Sequence, residues 1–256
     1  MSKRKRFILT SVLLSLGLVG IQLVDPKYLY LSIVGLTVLT VCLFFWCLKE
    51  GLGKNLTLLT LMLPGMYTLS VGLFWFLLPS SVFARVPVVI LYGFGIYSLC
   101  LTTNIYTVAA IRTIALLRAA RGVGFVLTLF TSFLIFDTIL SLKTNIFVNS
   151  ILTLIASLPL FLQGLWTSKI EEKFTGEIFL SSILFSIIIG EVTAVLFFWP
   201  VTLIAGSLFL TVTLYMLLGL GQAKVEGRLF PQTVKEYSIV FGLVIFGMFI
   251  VTRWGA

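Results

Sequence analysis

Residues 178–220, IFLSSILFSIIIGEVTAVLFFWPVTLIAGSLFLTVTLYMLLGL, decide the fold. The run holds 43 residues, and its one charge is Glu191. As a single straight helix it would reach about 65 Å, twice the ~30 Å of hydrocarbon in a bilayer. The segment must turn back on itself, and Trp199-Pro200 is the natural corner. Proline removes a backbone donor and drives its predecessor out of helical geometry, and tryptophan prefers the membrane interface. One stretch therefore predicts two antiparallel membrane helices, 178–198 and 201–220.

The same reading applied outward gives further apolar runs at 7–24, 28–48, 56–78, 86–106, 123–142, 146–166 and 237–254. Nine spans and an all-α polytopic bundle are the expectation, with the first and last spans the shortest. Composition agrees: 59% of the 256 residues are hydrophobic, 11% are charged, and mean hydropathy is +1.16. That is too little polar surface to cover a water-soluble domain. Histidine is absent, which removes the commonest proton shuttle and most catalytic zinc sites.

Lysine and arginine outnumber aspartate and glutamate 18 to 9. With the amino terminus inside, 14 of the 18 cations fall on the inner side, and only Lys27, Arg85, Lys143 and Arg253 fall outside. This split predicts a cytoplasmic amino terminus and an external carboxyl terminus, and it accounts for the basic balance without nucleic acid. Lys3-Arg4-Lys5-Arg6 before a long apolar run, with no A-x-A site after it, reads as an uncleaved signal anchor over 1–24. Asn55-Leu56-Thr57 has the glycosylation pattern but falls inside, where it is silent. Short loops without appended domains suit a bacterial cytoplasmic membrane. Cys42, Cys47 and Cys100 all lie in spans and read as small buried side chains.

Two acids remain within spans. An ionised carboxylate near the bilayer centre costs about 2.5 kcal/mol or more, so Asp137 and Glu191 are candidates for function. Asp137 is shallow enough for headgroup water or Lys143 to relieve it; Glu191 has no basic residue in its own or either neighbouring span. Polar or small residues recur every four positions nearby: Asn145, Asn149, Thr153 and Ser157; Ser182, Ser186, Gly190 and Ala194; Ser207, Thr211, Tyr215 and Gly219. Each set shares a helix face. The stripes over 146–220 read either as a polar pocket around Glu191 or as the small-residue glue of membrane helices.

Pro64-Gly65 and Pro159 mark positions where a span can kink, as in transporters. Arg112, Arg118 and Arg121, in a segment 105–122 that keeps helix-forming composition, suit anionic lipid on the cytoplasmic leaflet. No metal site, cofactor site or D-D-x-x-D, G-x-S-x-G, H-E-x-x-H or P-loop signature occurs. Three function classes follow. The favoured one is a non-catalytic membrane component that binds lipid and partner helices, a homo-oligomer included. The second is a small-solute or lipid transporter with a protonatable Glu191, and the third a lipid-modifying enzyme working through Glu191 and Asp137.

Overall fold

The structure, a computed structural model, describes residues 2–49, 57–79, 81–109, 116–170 and 176–252. These residues form nine α-helices and no strand. They are α1 (Lys3–Ile21), α2 (Leu29–Leu48), α3 (Thr57–Phe74), α4 (Val82–Ala109), α5 (Leu117–Ser141), α6 (Ile146–Trp166), α7 (Gly176–Phe197), α8 (Leu203–Val225) and α9 (Pro231–Val251). Eight of them, α2 to α9, are long and apolar enough to cross a membrane. The chain is a multi-pass membrane protein.

The first helix differs from the expected span. Four cations occupy its start, and its apolar part, 7–21, is about 22 Å of helix, short of the hydrocarbon thickness. The last helix starts earlier than expected, at Pro231, because proline suits a first helical position where no backbone donor is needed. The corner at Trp199-Pro200 is where the sequence puts it: α7 ends at Phe197 and α8 begins at Leu203. Thr202 caps α8 by accepting from the Ala205 amide at 3.3 Å, and Asn145 caps α6 by accepting from Val148 at 2.9 Å. Both side chains satisfy an amide that has no partner within its helix.

Two compact units divide the chain, Met1–Thr131 with Ile170–Lys173 and Ser132–Lys169 with Phe174–Ala256. In the first, α1 packs on α2 and α4, and α3 on α2 and α4. Glycines let these helices close: a Cβ on Gly93 would fall 2.6 Å from Ser15 Oγ, and the Ser11 hydroxyl donates to the Gly93 carbonyl at 2.6 Å. In the second unit, α6 lies against α7 and α8, and α9 rests on α8. A Cβ on Gly190 would meet the Ser150 carbonyl oxygen at 3.2 Å, so the small-residue stripe of α7 faces α6. Helix α9 is nearly uncovered, and Met248 is its one buried side chain.

Candidate functional site

The polar residues of the second unit gather where α5, α6, α7 and α8 have their ends nearest Lys143. The chain leaves α5 through Lys143, whose φ of 49° is in the left-handed region, and Thr144 and Asn145 follow at once. This tight reversal places the Thr144 hydroxyl to donate to Asn149 Oδ1 at 2.5 Å, while Asn149 Nδ2 donates to the Thr144 carbonyl at 3.4 Å. Asn149 is buried, one turn into α6. An amide nitrogen carries two hydrogens, so one donor of Asn149 remains after this exchange.

One turn deeper, Thr153 Oγ1 lies 2.9 Å from Thr193 Oγ1 on α7. Each hydroxyl also reaches a backbone carbonyl of its own helix, Thr153 that of Asn149 at 3.0 Å and Thr193 that of Ile189 at 2.8 Å. Each has one proton, so one donates across the interface and the other back to its own helix. Between α5 and α8, the single proton of the Ser207 hydroxyl has two acceptors in reach, Asp137 Oδ1 at 3.2 Å and the Ile204 carbonyl at 3.0 Å. Asp137 is buried beside that hydroxyl.

A cavity of about 310 Å³ opens among these ends. Lys143, Thr144, Asn149 and Thr193 give it a polar side; Leu140, Leu196, Phe197 and Leu203 give it an apolar one. The lysine is exposed at the rim, and Asn149 and Thr193 are buried. The arrangement offers an ammonium and an amide donor above hydrocarbon.

The other sequence-derived candidates lie elsewhere. Glu191 is exposed: it sits one residue past Gly190, about 100° round α7 from the stripe that packs on α6. The structure does not bring it to Thr153 or Ser207, whose partners are Thr193 and Asp137. Thr211 bonds back to the Ser207 carbonyl at 2.8 Å. Tyr215 packs its ring 5.1 Å from that of Tyr237 on α9. The stripe of α8 therefore serves two neighbours rather than one pocket. Helices α3 and α6 run on through Pro64 and Pro159, and a Cβ added at Gly65 would meet Val41 and Thr37 only at ordinary distances, 3.4 and 3.9 Å. Arg118 is exposed and Arg121 half-buried, both in the first turns of α5, while residues 105–109 belong to the end of α4. Arg112, Asn55 and Lys54 lie outside the described residues.

The family model described as protein of unknown function (DUF5656) matches residues 10–252. The chain belongs to that family. Its matched region runs through both units and includes every residue around the cavity. Comparison with curated proteins and with solved structures found no match.

Sequence reasoning missed Thr193, which stands two residues from Glu191 on the opposite face. The signal was present, because Ser182, Ser186, Ile189 and Thr193 continue one buried face of α7 in steps of three and four. It also missed a hydroxyl chain in the first unit of this DUF5656 member, where Thr40 Oγ1 lies 3.0 Å from Thr68 Oγ1 and Thr68 Oγ1 lies 3.1 Å from Tyr92 Oη. Cys47 and Cys100 are buried as expected, but Cys42 is exposed on α2.

Proposed function

We propose that the protein is a non-catalytic membrane component that holds lipid headgroups in the Lys143 cavity and packs partner helices on its uncovered faces. The cavity carries this reading. Its volume, about 310 Å³, is at the lower end of the usual range for small-molecule sites, about 300–1,000 Å³. That suits a headgroup with the first carbons of its chains. Lysine and the spare amide hydrogen of Asn149 are donors, so the matching head is rich in acceptors, as a phosphodiester is. Leu196, Phe197 and Leu203 line the side where acyl carbons would lie. The charge bias assigns this end to the outer leaflet.

Transport and catalysis draw less support from the geometry. Each relies on Glu191, which is exposed on α7 rather than turned toward Asn149, Thr153 or Ser207. Asp137, the second acid of the enzymatic reading, is buried against Ser207 of α8. We further propose a bacterial cytoplasmic membrane as the setting, and anionic lipid at Arg118 and Arg121 on the opposite leaflet.

Mass spectrometry of lipid retained by protein purified in mild detergent tests the cavity. Lys143→Gln should remove the positive charge that faces the headgroup, and Leu203→Trp should fill the apolar side; both should lower phospholipid retention by about five-fold, the effect of roughly 1 kcal/mol. Retention unchanged in both variants would overturn the reading.

A further inference from the structure

The outward face of α7 has a regular form. Leu180, Leu184, Ile187, Glu191 and Ala194 follow one another at spacings of four, three, four and three, and Phe198 continues the series one residue past the helix. Leu180 is 60% exposed, Leu184 52% and Ile187 39%, and Glu191 is exposed with them. This is a heptad seam, the spacing with which two helices wind around each other with side chains interlocked. The opposite face, with Ser182, Ser186, Gly190 and Thr193, is already spent on its own unit. The seam runs about 27 Å from Leu180 to Phe198, most of the depth of the hydrocarbon.

Lipid can cover the leucines but offers no donor to a carboxyl about 9 Å below the end of α7. Nor do the neighbours supply one: among the described residues Glu191 has no hydrogen bond or ion pair, and the only charged side chain within α6 or α8 is Lys224, in the last turn of α8. We propose that a second copy of the chain docks on this seam, α7 against α7, with the two Glu191 carboxyls meeting on the two-fold axis. This rests on the helix-binding part of the function proposed above and names its partner.

Two considerations select a second copy. Copies of one chain enter the membrane the same way round, so their two-fold axis runs along the membrane normal and each residue lies at the same depth as its counterpart. In a parallel heptad seam each core residue also faces its counterpart, which brings Glu191 to Glu191. The pair is then self-satisfying. A carboxylic acid group offers both an O–H donor and a carbonyl acceptor, so two carboxyls at one depth can bond to each other. A single polar residue within an apolar seam also fixes register, which leucine and isoleucine alone do poorly. Ala194, one turn from Glu191, leaves room for the helices to approach.

The test is disulfide trapping of the full chain in its own membrane, with the exposed native thiol removed by Cys42→Ala. Ile187→Cys or Ala194→Cys, treated with an oxidant, should give a covalent dimer of the chain; Leu208→Cys, exposed on α8 but off the seam, should not. Adding Glu191→Gln to either seam variant should keep the yield, because an amide pair also bonds across. Glu191→Leu should lower it about five-fold, the effect of one interhelical hydrogen bond. Equal trapping at Leu208, a seam adduct with a different protein, or no adduct at all would each overturn the proposal. Lipid retention measured on the same membranes separates the two readings. Lipid held without a dimer removes the seam alone, and a dimer without lipid removes the cavity reading alone.

Discussion

The two units bury polar side chains to opposite ends. In the first, three hydroxyls form a closed relay: Tyr92 reaches Thr68, Thr68 reaches Thr40, and Thr40 donates to the Leu36 carbonyl at 2.9 Å. Three protons meet three acceptors, and nothing is left over. Tyr67 closes the top, stacked 5.7 Å from Tyr92 with its own hydroxyl donating to the Leu91 carbonyl at 3.1 Å. In the second unit the corresponding polar set borders a cavity, and Asn149 keeps a donor after its local bonds are made. Burial and polarity are common to both regions; only a spare donor beside open space distinguishes a place for a ligand from membrane-helix packing.

That contrast can be broken most directly at two glycines. A Cβ on Gly95 would fall 2.1 Å from the Tyr67 hydroxyl, so Gly95→Val has to displace the stacked ring and should cost about 3 kcal/mol in a detergent unfolding titration. Gly206 borders the cavity, and its added Cβ would stand 3.3 Å from a leucine methyl, so Gly206→Ala should stay within about 1 kcal/mol. Equal costs would mean that the second unit is as tightly filled as the first.

Next in size is the basic start of α5. Replacing Arg118 and Arg121 together by Gln should lower binding to vesicles containing phosphatidylglycerol about five-fold per charge, and leave binding to neutral vesicles unchanged. An equal loss on both vesicle types would show a packing role. Tyr92→Phe, which takes one hydroxyl out of the closed relay, should cost about 1 kcal/mol of stability with no change in retained lipid. A fall in lipid would show that the relay is not sealed. Smallest is Asp137→Asn, which keeps an oxygen for Ser207 and should shift the unfolding midpoint by no more than about 0.5 kcal/mol.

Helix number and the reversal at Trp199-Pro200 were legible because they depend on length and hydropathy alone, which the bilayer fixes. The ends were less so: charge stops a membrane count but does not stop a helix, and α4 continues through Arg85, whose guanidinium lies 5.2 Å over the Trp75 ring. At the site, depth is readable from the sequence and rotation is not. Thr153 and Glu191 lie at similar distances from their helix ends, yet one residue beyond Gly190 turns a side chain through about 100°. Thr193, two residues on, is the α7 side chain that meets Thr153. The pairing of Asp137 with Ser207 joins residues 70 apart in sequence, and no local spacing encodes it. The hydroxyl relay was hidden for another reason: threonine and tyrosine are ordinary in apolar helices, and only packing shows which of them meet.

The manner in which α9 is attached bears on the order of synthesis. Three contacts along one side fasten it: Tyr237 against Tyr215, Phe241 stacked 5.6 Å from Phe209, and Thr252 accepting from the Trp199 indole at 2.7 Å. The Tyr237 ring reaches α8 only because Gly219 has no side chain to block it. All three footholds are on residues translated earlier, and Phe209 is the buried α8 side chain that Phe241 covers. The contacts among α6, α7 and α8 use residues already made when α9 emerges, and α9 then completes the cover of α8 at Phe209.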